Sequence, residues 1–323
     1  MGDRLVDGGG ILFIGVGAMG EPMAARLAAA GYRLGLADAA PGRAKAVADQ
    51  IRAEAVAYAA PDTPLAGFRT VILMLPASPM VEAVLEGEPD LLARLAPGTV
   101  VIDMSSSSPA STRRLAGLAA ARGLGFLDAP VSGGVPKART GELSIMVGGD
   151  EAVVAARREV LGAMGSVVTH IGGPGSGHAM KALNNLLSAI GLVGAAEVLS
   201  LAARFGIDPR VALDVLNAST GRNQATEVKY GRYVFSGAFD SGFAMKLMVK
   251  DLRTAIEIAH DAGVPVPVSA GALEEWLAAF AIRGEQADHT EIAAYVAGRA
   301  GVDFAQSPVA EAAADSSETR EAT

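Results

Sequence analysis

A glycine-rich turn near the start of the chain constrains the possible folds more than any other feature of the sequence. The turn Gly15-Val-Gly-Ala-Met-Gly20 follows an apolar run at 11–14 and precedes residues of helix-forming composition. A G-x-G-x-x-G pattern between a strand and a helix is typical of dinucleotide-binding domains, because its glycines permit a tight turn, the approach of a pyrophosphate and close helix packing. The residues that we expect to line the phosphates are Gly15, Val16, Gly17, Ala18, Met19 and Gly20.

An acidic residue, Asp38, ends the second apolar segment of the chain. At this position a carboxylate can accept hydrogen bonds from the ribose hydroxyls of the adenosine and would repel a 2′-phosphate. Ala39 and Ala40 supply no cation, so the pattern favours NAD over NADP, although Arg43 is near enough to keep NADP open. The alternative role for Asp38 is that of a helix N-cap.

Short apolar runs alternate with helix-like segments through the first half of the chain. The pattern predicts buried strands at 11–14, 33–37, 71–75, 100–103, 125–128 and 144–147, and helices at 23–30 and 42–52. Such alternation indicates an α/β Rossmann domain with a mostly parallel sheet and right-handed crossovers.

The pattern changes at the glycine-rich segment 172–177, after which no strand pattern appears. A long apolar helix is expected there, and Asp-Pro helix starts with a Gly-Val-Pro-Val-Pro stop indicate further helices up to about Gly301. We predict an NAD(P)-binding Rossmann domain at 11–174, and an interdomain helix with an all-helical C-terminal domain at 175–305. A disordered acidic tail is predicted at 306–323, and the first ten residues are also expected to be unstructured.

The composition of the 323-residue chain limits its partners and its chemistry. Half of the residues are hydrophobic and 19% are charged, which excludes a chain disordered throughout, and the net charge of −8 argues against a nucleic-acid partner. The chain has no cysteine, and its four histidines lack the spacing of a paired metal site, so we predict no disulfide and no metal. Because no secretory signal pattern is present, we expect a cytoplasmic protein with no membrane partner.

The longest apolar run lies between Lys181 and Glu197 and falls short of a bilayer span. One face of this predicted helix is formed by residues that recur at spacings of four, three and four, namely Leu183, Leu187, Ile190 and Gly194. The pattern predicts a buried helix.

Lys181 lies near the start of this helix, with Asn185 four positions after it and His178 three before it on the same face. A lysine in an apolar helix either extends to solvent or occupies a site where desolvation lowers its pKa, and spacing alone leaves these alternatives about even. Asn185 favours a site, because an amide one turn away can hold a substrate oxygen, yet Asn184 and Asn185 can also form a satisfied core pair.

A second candidate cluster is the segment Asp128-Ala-Pro-Val-Ser132-Gly133-Gly134. A hydroxyl and exposed backbone amides after a strand suit the binding of a carboxylate, and a simple loop is the alternative.

Five ordered motifs carry a resemblance to a known family. They are Gly15-Val-Gly-Ala-Met-Gly20-Glu-Pro-Met, Asp128-Ala-Pro-Val-Ser-Gly-Gly134, Gly141-Glu-Leu-Ser-Ile-Met-Val-Gly-Gly149, Gly175-Ser-Gly-His-Ala-Met-Lys181-Ala-Leu-Asn-Asn185 and Lys250-Asp251-Leu. With these motifs the chain resembles the β-hydroxyacid dehydrogenase family, which includes 3-hydroxyisobutyrate dehydrogenase and tartronate semialdehyde reductase. The resemblance implies an NAD(P)-dependent oxidoreductase that forms homodimers or homotetramers through its helical domain.

The resemblance also implies roles for individual residues. Lys181 would act as general acid/base, and Asn185 would hold both the substrate and the lysine. The substrate carboxylate would be bound by Ser132, Gly133 and Gly134. The cofactor would be contacted by Leu75, Pro76, Ser106 and Lys250. The chain departs from the family pattern at Ser106, where threonine is common, and at Lys137, where a small residue is expected and where we predict a solvent-directed side chain.

The expected substrate is a small anionic β-hydroxy acid or its semialdehyde, in the range of 3-hydroxyisobutyrate, glycerate with tartronate semialdehyde, and sulfolactaldehyde. The alternatives are an imine reductase of the same architecture, which the pairing of Lys181 with Asn185 argues against, and a non-catalytic dinucleotide-binding interaction module. The polar loop 219–226 either lines the substrate pocket or forms an ordinary turn, and Phe239 and Phe243 are candidate core anchors.

Overall fold

The computed structural model describes residues 4–60 and 62–305, so the predicted tail at 306–323 lies outside the described residues. The chain divides into two compact units, Met1–Lys181 and Ala182–Thr323. The predicted domain boundary at 174/175 stays a prediction. All strands of the described residues belong to the first unit, and they are β1 (Gly10–Ile14), β2 (Leu34–Ala37), β3 (Glu54–Ala55), β4 (Phe68–Leu73), β5 (Val100–Asp103), β6 (Gly125–Asp128), β7 (Val131–Ser132), β8 (Ser144–Gly149) and β9 (Val167–Gly172).

The nine strands form one sheet in the order β3-β2-β1-β4-β5-β6-β8-β7, with β9 paired to β8. The strands from β3 to β6 pair in parallel, as does β9 with β8, whereas β8 runs antiparallel to both β6 and β7. This arrangement confirms the predicted Rossmann architecture with a mostly parallel sheet. The carboxyl ends of β1, β2, β4 and β5 therefore share one edge, where open α/β sheets bind their ligands.

Both faces of the sheet are covered, which explains why its strands are continuous apolar runs. On β1, Phe13 belongs to the apolar cluster on one face, whereas its neighbour Leu12 belongs to the cluster on the other. The helices that cover the faces are α1 (Gly20–Ala29), α2 (Arg43–Ile51), α3 (Ser78–Glu86), α4 (Leu91–Arg94), α5 (Pro109–Ala121), α6 (Gly134–Thr140) and α7 (Glu151–Gly162). The next helix, α8 (Ser176–Arg204), begins in the first unit and continues in the second.

The described part of the second unit is helical, as predicted. It contains most of α8, then α9 (Pro209–Asn217), a π-helix (Ala225–Val234), α10 (Met245–Asp261), α11 (Pro267–Arg283) and α12 (Glu291–Arg299). Two large aromatic side chains at its centre are fully buried and satisfy their polar atoms on α8. The Tyr230 hydroxyl donates to the Leu192 carbonyl at 2.7 Å, and the Trp276 indole N–H donates to the Ala189 carbonyl at 3.4 Å. These bonds fix the π-helix and α11 against α8.

The expectation of an unstructured N-terminus is wrong for the residues from Arg4 onward. Val6 is buried, and the Arg4 backbone pairs with that of Tyr32. The Asp7 carboxylate forms an ion pair of 2.7 Å with the buried guanidinium of Arg157. A buried cation without an anionic partner is costly, so this contact gives the segment a reason to be ordered.

The prediction of a buried helix is only half right for α8. Its one side is buried in the second unit, through residues such as Ala189 and Ala196, but the apolar face identified from the sequence is largely exposed. Leu187 is 72% exposed and Leu201 is 70% exposed. By length and composition α8 would also suffice to cross a membrane, a property shared by core helices of soluble proteins, and 44% of its most apolar window is buried.

Candidate active site

The glycine turn between β1 and α1 is closed at its ends and open in its middle. Gly15 has a φ of +95°, and a Cβ there would overlap the Met74 carbonyl oxygen, while a Cβ at Gly20 would overlap the Gly15 carbonyl oxygen. At Gly17, in contrast, a Cβ would meet no atom within 4 Å among the described residues. No described side chain caps the start of α1. The turn thus presents backbone N–H donors beside open space, which is the arrangement that suits a phosphate.

Asp38, at the end of β2, joins the second strand to the glycine turn. Its Oδ2 accepts the Val16 N–H at 2.8 Å, and its Oδ1 accepts the Ala40 N–H at 2.8 Å. The alternative role as a helix cap is wrong, because the residue that precedes α2 is Gly42. Each carboxylate oxygen accepts more than one hydrogen bond, so Asp38 retains the capacity to bind ribose hydroxyls.

Arg43, the residue that left NADP open, is engaged by the protein itself. Its Nη2 lies 2.8 Å from Glu21 Oε2, and its Nε donates to the Val16 carbonyl at 3.0 Å. The guanidinium is therefore held by the glycine turn and α1. It is not an unpaired cation beside Asp38.

Three further predicted cofactor residues follow β4 and β5 at the same edge of the sheet. Leu75 is half-buried beside Gly15, Pro76 is exposed and Ser106 is half-buried. The loop around Ser106 is fixed by Asp103, whose carboxylate accepts the Ser105 N–H at 2.9 Å and the Ser107 hydroxyl at 2.7 Å. Asp103 was predicted only as the last residue of a strand, and its role in this loop was missed.

Ser132, Gly133 and Gly134 lie between β7 and α6. Ser132 is half-buried, whereas both glycines are exposed and have positive φ values of +129° and +66°. The aliphatic part of Lys137 covers Gly133, since a Cβ there would lie 2.7 Å from Lys137 Cδ, and Lys137 itself is exposed as predicted. The segment thus offers one hydroxyl and accessible backbone amides.

The start of α8 is fixed by the buried carboxylate of Asp128, at the end of β6. Its Oδ1 accepts the Gly175 N–H at 2.8 Å, and its Oδ2 accepts the His178 N–H at 2.9 Å. Gly177 is required for this close approach, because a Cβ there would overlap the Met146 carbonyl oxygen. The sequence placed Asp128 in a motif without indicating that it caps the helix that bears Lys181.

His178 connects the first turn of α8 to the loop that follows β5. Its Nε2 lies 3.1 Å from the Ser105 carbonyl oxygen, and its Nδ1 lies 2.7 Å from Thr112 Oγ1. A carbonyl only accepts hydrogen bonds, so we assign a proton to Nε2. The predicted proximity of His178 to Lys181 on one helix face thus belongs to a buried network that links α8 to the Ser106 loop.

Lys181 is partly buried on α8, and Asn185 follows it by one helical turn. In the second unit the buried Asn185 amide is fixed at both ends, because its Oδ1 accepts from Asn184 Nδ2 at 3.2 Å and its Nδ2 donates to the Asp251 carboxylate. Lys250 Nζ lies 3.0 Å from the other oxygen of Asp251. The predicted contact of Lys250 with a cofactor stays a prediction.

A buried lysine that the sequence did not single out, Lys229, lies on the π-helix. It is 8% exposed, and its Nζ donates to Ser188 Oγ on α8 at 3.2 Å. Burial lowers the pKa of Lys229 to about 8, although the Asp288 charge opposes the shift. The neighbouring loop 219–226 forms a turn in which Asn223 Oδ1 accepts from the N–H groups of Ala225 and Thr226, so an ordinary turn accounts for its contacts.

Asp288 anchors the loop that precedes α10. Its carboxylate accepts hydrogen bonds from the Ser241 hydroxyl, the Gly242 N–H and the Thr290 N–H and hydroxyl. Burial alone would raise its pKa, but hydrogen bonds from His289, Thr290 and Ser241 hold the pKa well below its usual range. Phe239 and Phe243 of this loop are partly buried against the core of the second unit, as predicted.

Two family models match the chain. One, described as the NAD binding domain of 6-phosphogluconate dehydrogenase, matches residues 10–172, and the other, described as "NAD-binding of NADP-dependent 3-hydroxyisobutyrate dehydrogenase", matches residues 175–296. The 2-(hydroxymethyl)glutarate dehydrogenase of Eubacterium barkeri is 38% identical over 262 residues, which cover 81% of this chain and 86% of that protein. The NAD-dependent L-serine dehydrogenase of Pseudomonas aeruginosa is 38% identical over 270 residues, with 81% and 89% covered.

The solved structures similar to this chain include 3-hydroxyisobutyrate dehydrogenase of Mycobacterium tuberculosis with L-serine. It has a TM-score of 0.79 and 34% identity, and the match covers 89% of this chain and 99% of that one. An imine reductase of Streptomyces aurantiacus matches with a TM-score of 0.57 and 22% identity. At that identity the similarity shows the fold alone.

Proposed function

Because the chain belongs to the β-hydroxyacid dehydrogenase family, which includes 3-hydroxyisobutyrate dehydrogenase, we propose that it transfers hydride between a nicotinamide and the carbinol carbon of a small β-hydroxy acid. Its relatives are dehydrogenases that act on hydroxyl groups, and this chain is an NAD(P)-dependent enzyme of the same kind. The observation that carries the finer proposal is the spacing of Lys181 and Asn185, one turn apart on a helix whose start is capped by the buried Asp128.

The glycine turn and Asp38 hold the dinucleotide in this proposal. Space at Gly17 and the N–H donors at the start of α1 fit a pyrophosphate, and the Asp38 carboxylate fits the ribose hydroxyls. NAD is the proposed cofactor in preference to NADP, because Asp38 repels a 2′-phosphate while Arg43 is bound by Glu21. When bound, the nicotinamide supplies the hydride acceptor or donor at its C4 atom.

Lys181 moves the proton of the substrate hydroxyl. During oxidation its uncharged amine takes the proton from the hydroxyl oxygen, and during reduction its ammonium returns a proton to the carbonyl oxygen. Asn185 orients that oxygen, because one Nδ2 hydrogen is bound by Asp251 and the other has no acceptor among the described residues. Asp251 is therefore a positioning residue that fixes the direction in which the Asn185 amide can donate.

The substrate carboxylate is bound by the Ser132 hydroxyl and the N–H groups of Gly133 and Gly134. The net charge of −8 repels an anion at long range, so capture requires donors at short range. The exposed glycines allow the backbone to approach the carboxylate closely, and Ser132 supplies a side-chain donor.

The chain further forms a homo-oligomer in this proposal, through the apolar face of α8. Leu187 and Leu201 on this face, together with Phe205 just after the helix, are 70% to 85% exposed. A contiguous apolar face of this kind is typical of a protein interface, and a second copy of the chain supplies a matching face.

The experiment that tests the function is a screen for reduction of NAD and of NADP. The donors are L-serine, 3-hydroxyisobutyrate, glycerate and 2-(hydroxymethyl)glutarate, with a hydroxy sulfonate as an analogue, and the reverse reaction uses the corresponding semialdehydes. We expect NAD-dependent turnover of at least one β-hydroxy acid. Turnover confined to a cyclic imine control, or none with any donor, would contradict the proposal.

A further inference from the structure

The ammonium group of Lys229 is buried with little to neutralise it. Its Nζ donates to the neutral Ser188 hydroxyl, which is its one hydrogen-bond partner among the described residues. No carboxylate of the described residues lies within 4 Å of it. An ammonium carries three N–H donors, and a buried cation normally has an anionic partner.

The two nearest ionisable groups do not fill this place. Asp288 acts on Lys229 at a distance, but its carboxylate is already bound by Ser241, Gly242 and Thr290. His289 carries no negative charge, and burial lowers its pKa, to which the Lys229 charge also contributes. The positive charge thus lacks a counterion from the π-helix, from α8 and from the loop before α12.

The position of Lys229 relates it to the substrate side of α8. Its partner Ser188 follows Asn185 by three residues, so the two side chains lie on one helix face, about 4.5 Å apart along the axis. Asn185 is the residue proposed to orient the reacting oxygen. An anion that reaches Ser188 and Lys229 is therefore close to the proposed reaction centre.

On the basis of the proposed function, we propose that Lys229 and Ser188 bind a second carboxylate of the substrate, which makes the preferred substrate a β-hydroxy dicarboxylate. The first carboxylate is the one assigned above to Ser132, Gly133 and Gly134. A relative that is 38% identical is named for such a substrate, 2-(hydroxymethyl)glutarate. The π-helix is a wide turn that recurs at functional sites, and here it directs Lys229 toward α8.

Two pairs of ligands test the second carboxylate. The substrates 2-(hydroxymethyl)glutarate and 3-hydroxyisobutyrate differ in whether the distal end carries a carboxylate, and the dead-end ligands glutarate and pentanoate differ in the same way. The readouts are the kcat/KM ratio for the substrate pair and the ratio of inhibition constants for the ligand pair. Each is measured for the wild type, Lys229→Met, and the exposed control Lys246→Met.

We expect Lys229→Met to lower both ratios by about 10- to 100-fold through KM and the inhibition constant, as for the loss of a hydrogen bond between charged groups. Lys246→Met should leave both ratios at the wild-type values, and Lys229→Arg should restore part of the preference. Ratios for Lys229→Met within about threefold of wild type would overturn the subsite. The glutarate measurement needs no turnover, and absence of turnover in the wild type with either substrate would instead count against the proposed function.

A thermal unfolding scan of Lys229→Met shows that the variant is folded. Should it fail to fold, Ser188→Ala replaces it, with a smaller expected loss of the same ratios. Ratios unchanged in Ser188→Ala would overturn the subsite in that case.

Discussion

The Oδ2 atom of Asp128 accepts the backbone N–H of His178 at 2.9 Å, three residues before Lys181. With the bond from the Gly175 N–H, it gives the first turn of α8 a buried carboxylate cap. A carboxylate at a helix N-terminus satisfies orphan N–H donors and interacts favourably with the helix dipole. The position of Lys181 thus depends on a residue that has no direct role in catalysis.

Replacement of this cap is expected to destabilise the first unit. Asp128→Asn keeps one acceptor oxygen but places an amide NH₂ against a backbone N–H, so a buried donor is left unsatisfied. We expect a loss of about 2 to 3 kcal/mol in the free energy of unfolding, measured by urea denaturation. Asp150→Asn is the matched control, because Asp150 caps α7 through two backbone N–H groups but is exposed. Equal losses in both variants would contradict the importance of burial at Asp128.

Removal of the Asp38 carboxylate is expected to change the cofactor preference. Asp38→Ala should weaken the binding of NAD more than that of NADP, because it removes both the ribose acceptor and the charge that repels a 2′-phosphate. The dissociation constants of both cofactors, measured by quenching of protein fluorescence, check this. Arg43→Ala is the control and should leave the ratio of the two constants within about threefold, since Glu21 already binds the guanidinium. Equal losses for both cofactors in Asp38→Ala, or a wild-type preference for NADP, would overturn the assignment.

The buried charge of Lys229 makes stability depend on pH. Burial lowers the pKa of Lys229 to about 8, whereas an unfolded lysine titrates near about 10.4, so between these values the unfolded chain binds more protons than the folded one. Stability from this group therefore rises from about pH 8 to about pH 10. His289, whose pKa burial lowers, and Asp288, whose pKa is held below its usual range, do not titrate in this window.

Lys229→Met removes this dependence. We expect it to be more stable than the wild type at pH 7, by up to about 3 kcal/mol, with a difference that shrinks toward pH 10. Urea denaturation of both proteins at several pH values measures the difference. A stability gap that is constant from pH 7 to pH 10 would show that the ammonium is not desolvated in the folded protein.

The exposed face of α8 is expected to mediate self-association. The wild type should sediment as a dimer or a larger oligomer, and the double variant Leu187→Glu with Leu201→Glu should lose mass, because two carboxylates would be buried in the interface. Leu5→Glu, an exposed apolar residue of the first unit, is the control and should retain the wild-type mass. A monomeric wild type, or a double variant of unchanged mass, would rule out this face as the interface.

The fold was predictable because its signals are local. The closed ends of the glycine turn require glycine, and strands such as Val100–Asp103 and Gly125–Asp128 are continuous apolar runs because both faces of the sheet are covered. β9 was missed because it alternates between exposed and half-buried residues, without a continuous apolar run. The exposed face of α8 was misjudged for a different reason. Periodicity identifies an apolar face but does not reveal whether the same chain covers it.

The contacts that fix the candidate site were not predictable, because they join distant parts of the chain. Asn185 and Asp251 lie 66 positions apart, and Ser188 and Lys229 lie 41 apart. A single sequence contains no signal for such pairs, since either residue alone resembles an ordinary polar side chain. The motifs indicated where chemistry is concentrated, and the geometry indicated which residues orient the groups that perform it.

The central claim is that Lys181 transfers the proton, and the most direct measurement compares hydride transfer in the wild type, Lys181→Ala and the exposed control Lys246→Ala. With NAD and the best β-hydroxy acid from the screen, Lys181→Ala should lose about 10²- to 10⁴-fold in kcat. Its affinity for NAD should stay near that of the wild type, and added methylamine should restore part of the rate. Retention of wild-type turnover in Lys181→Ala would remove this lysine from the mechanism.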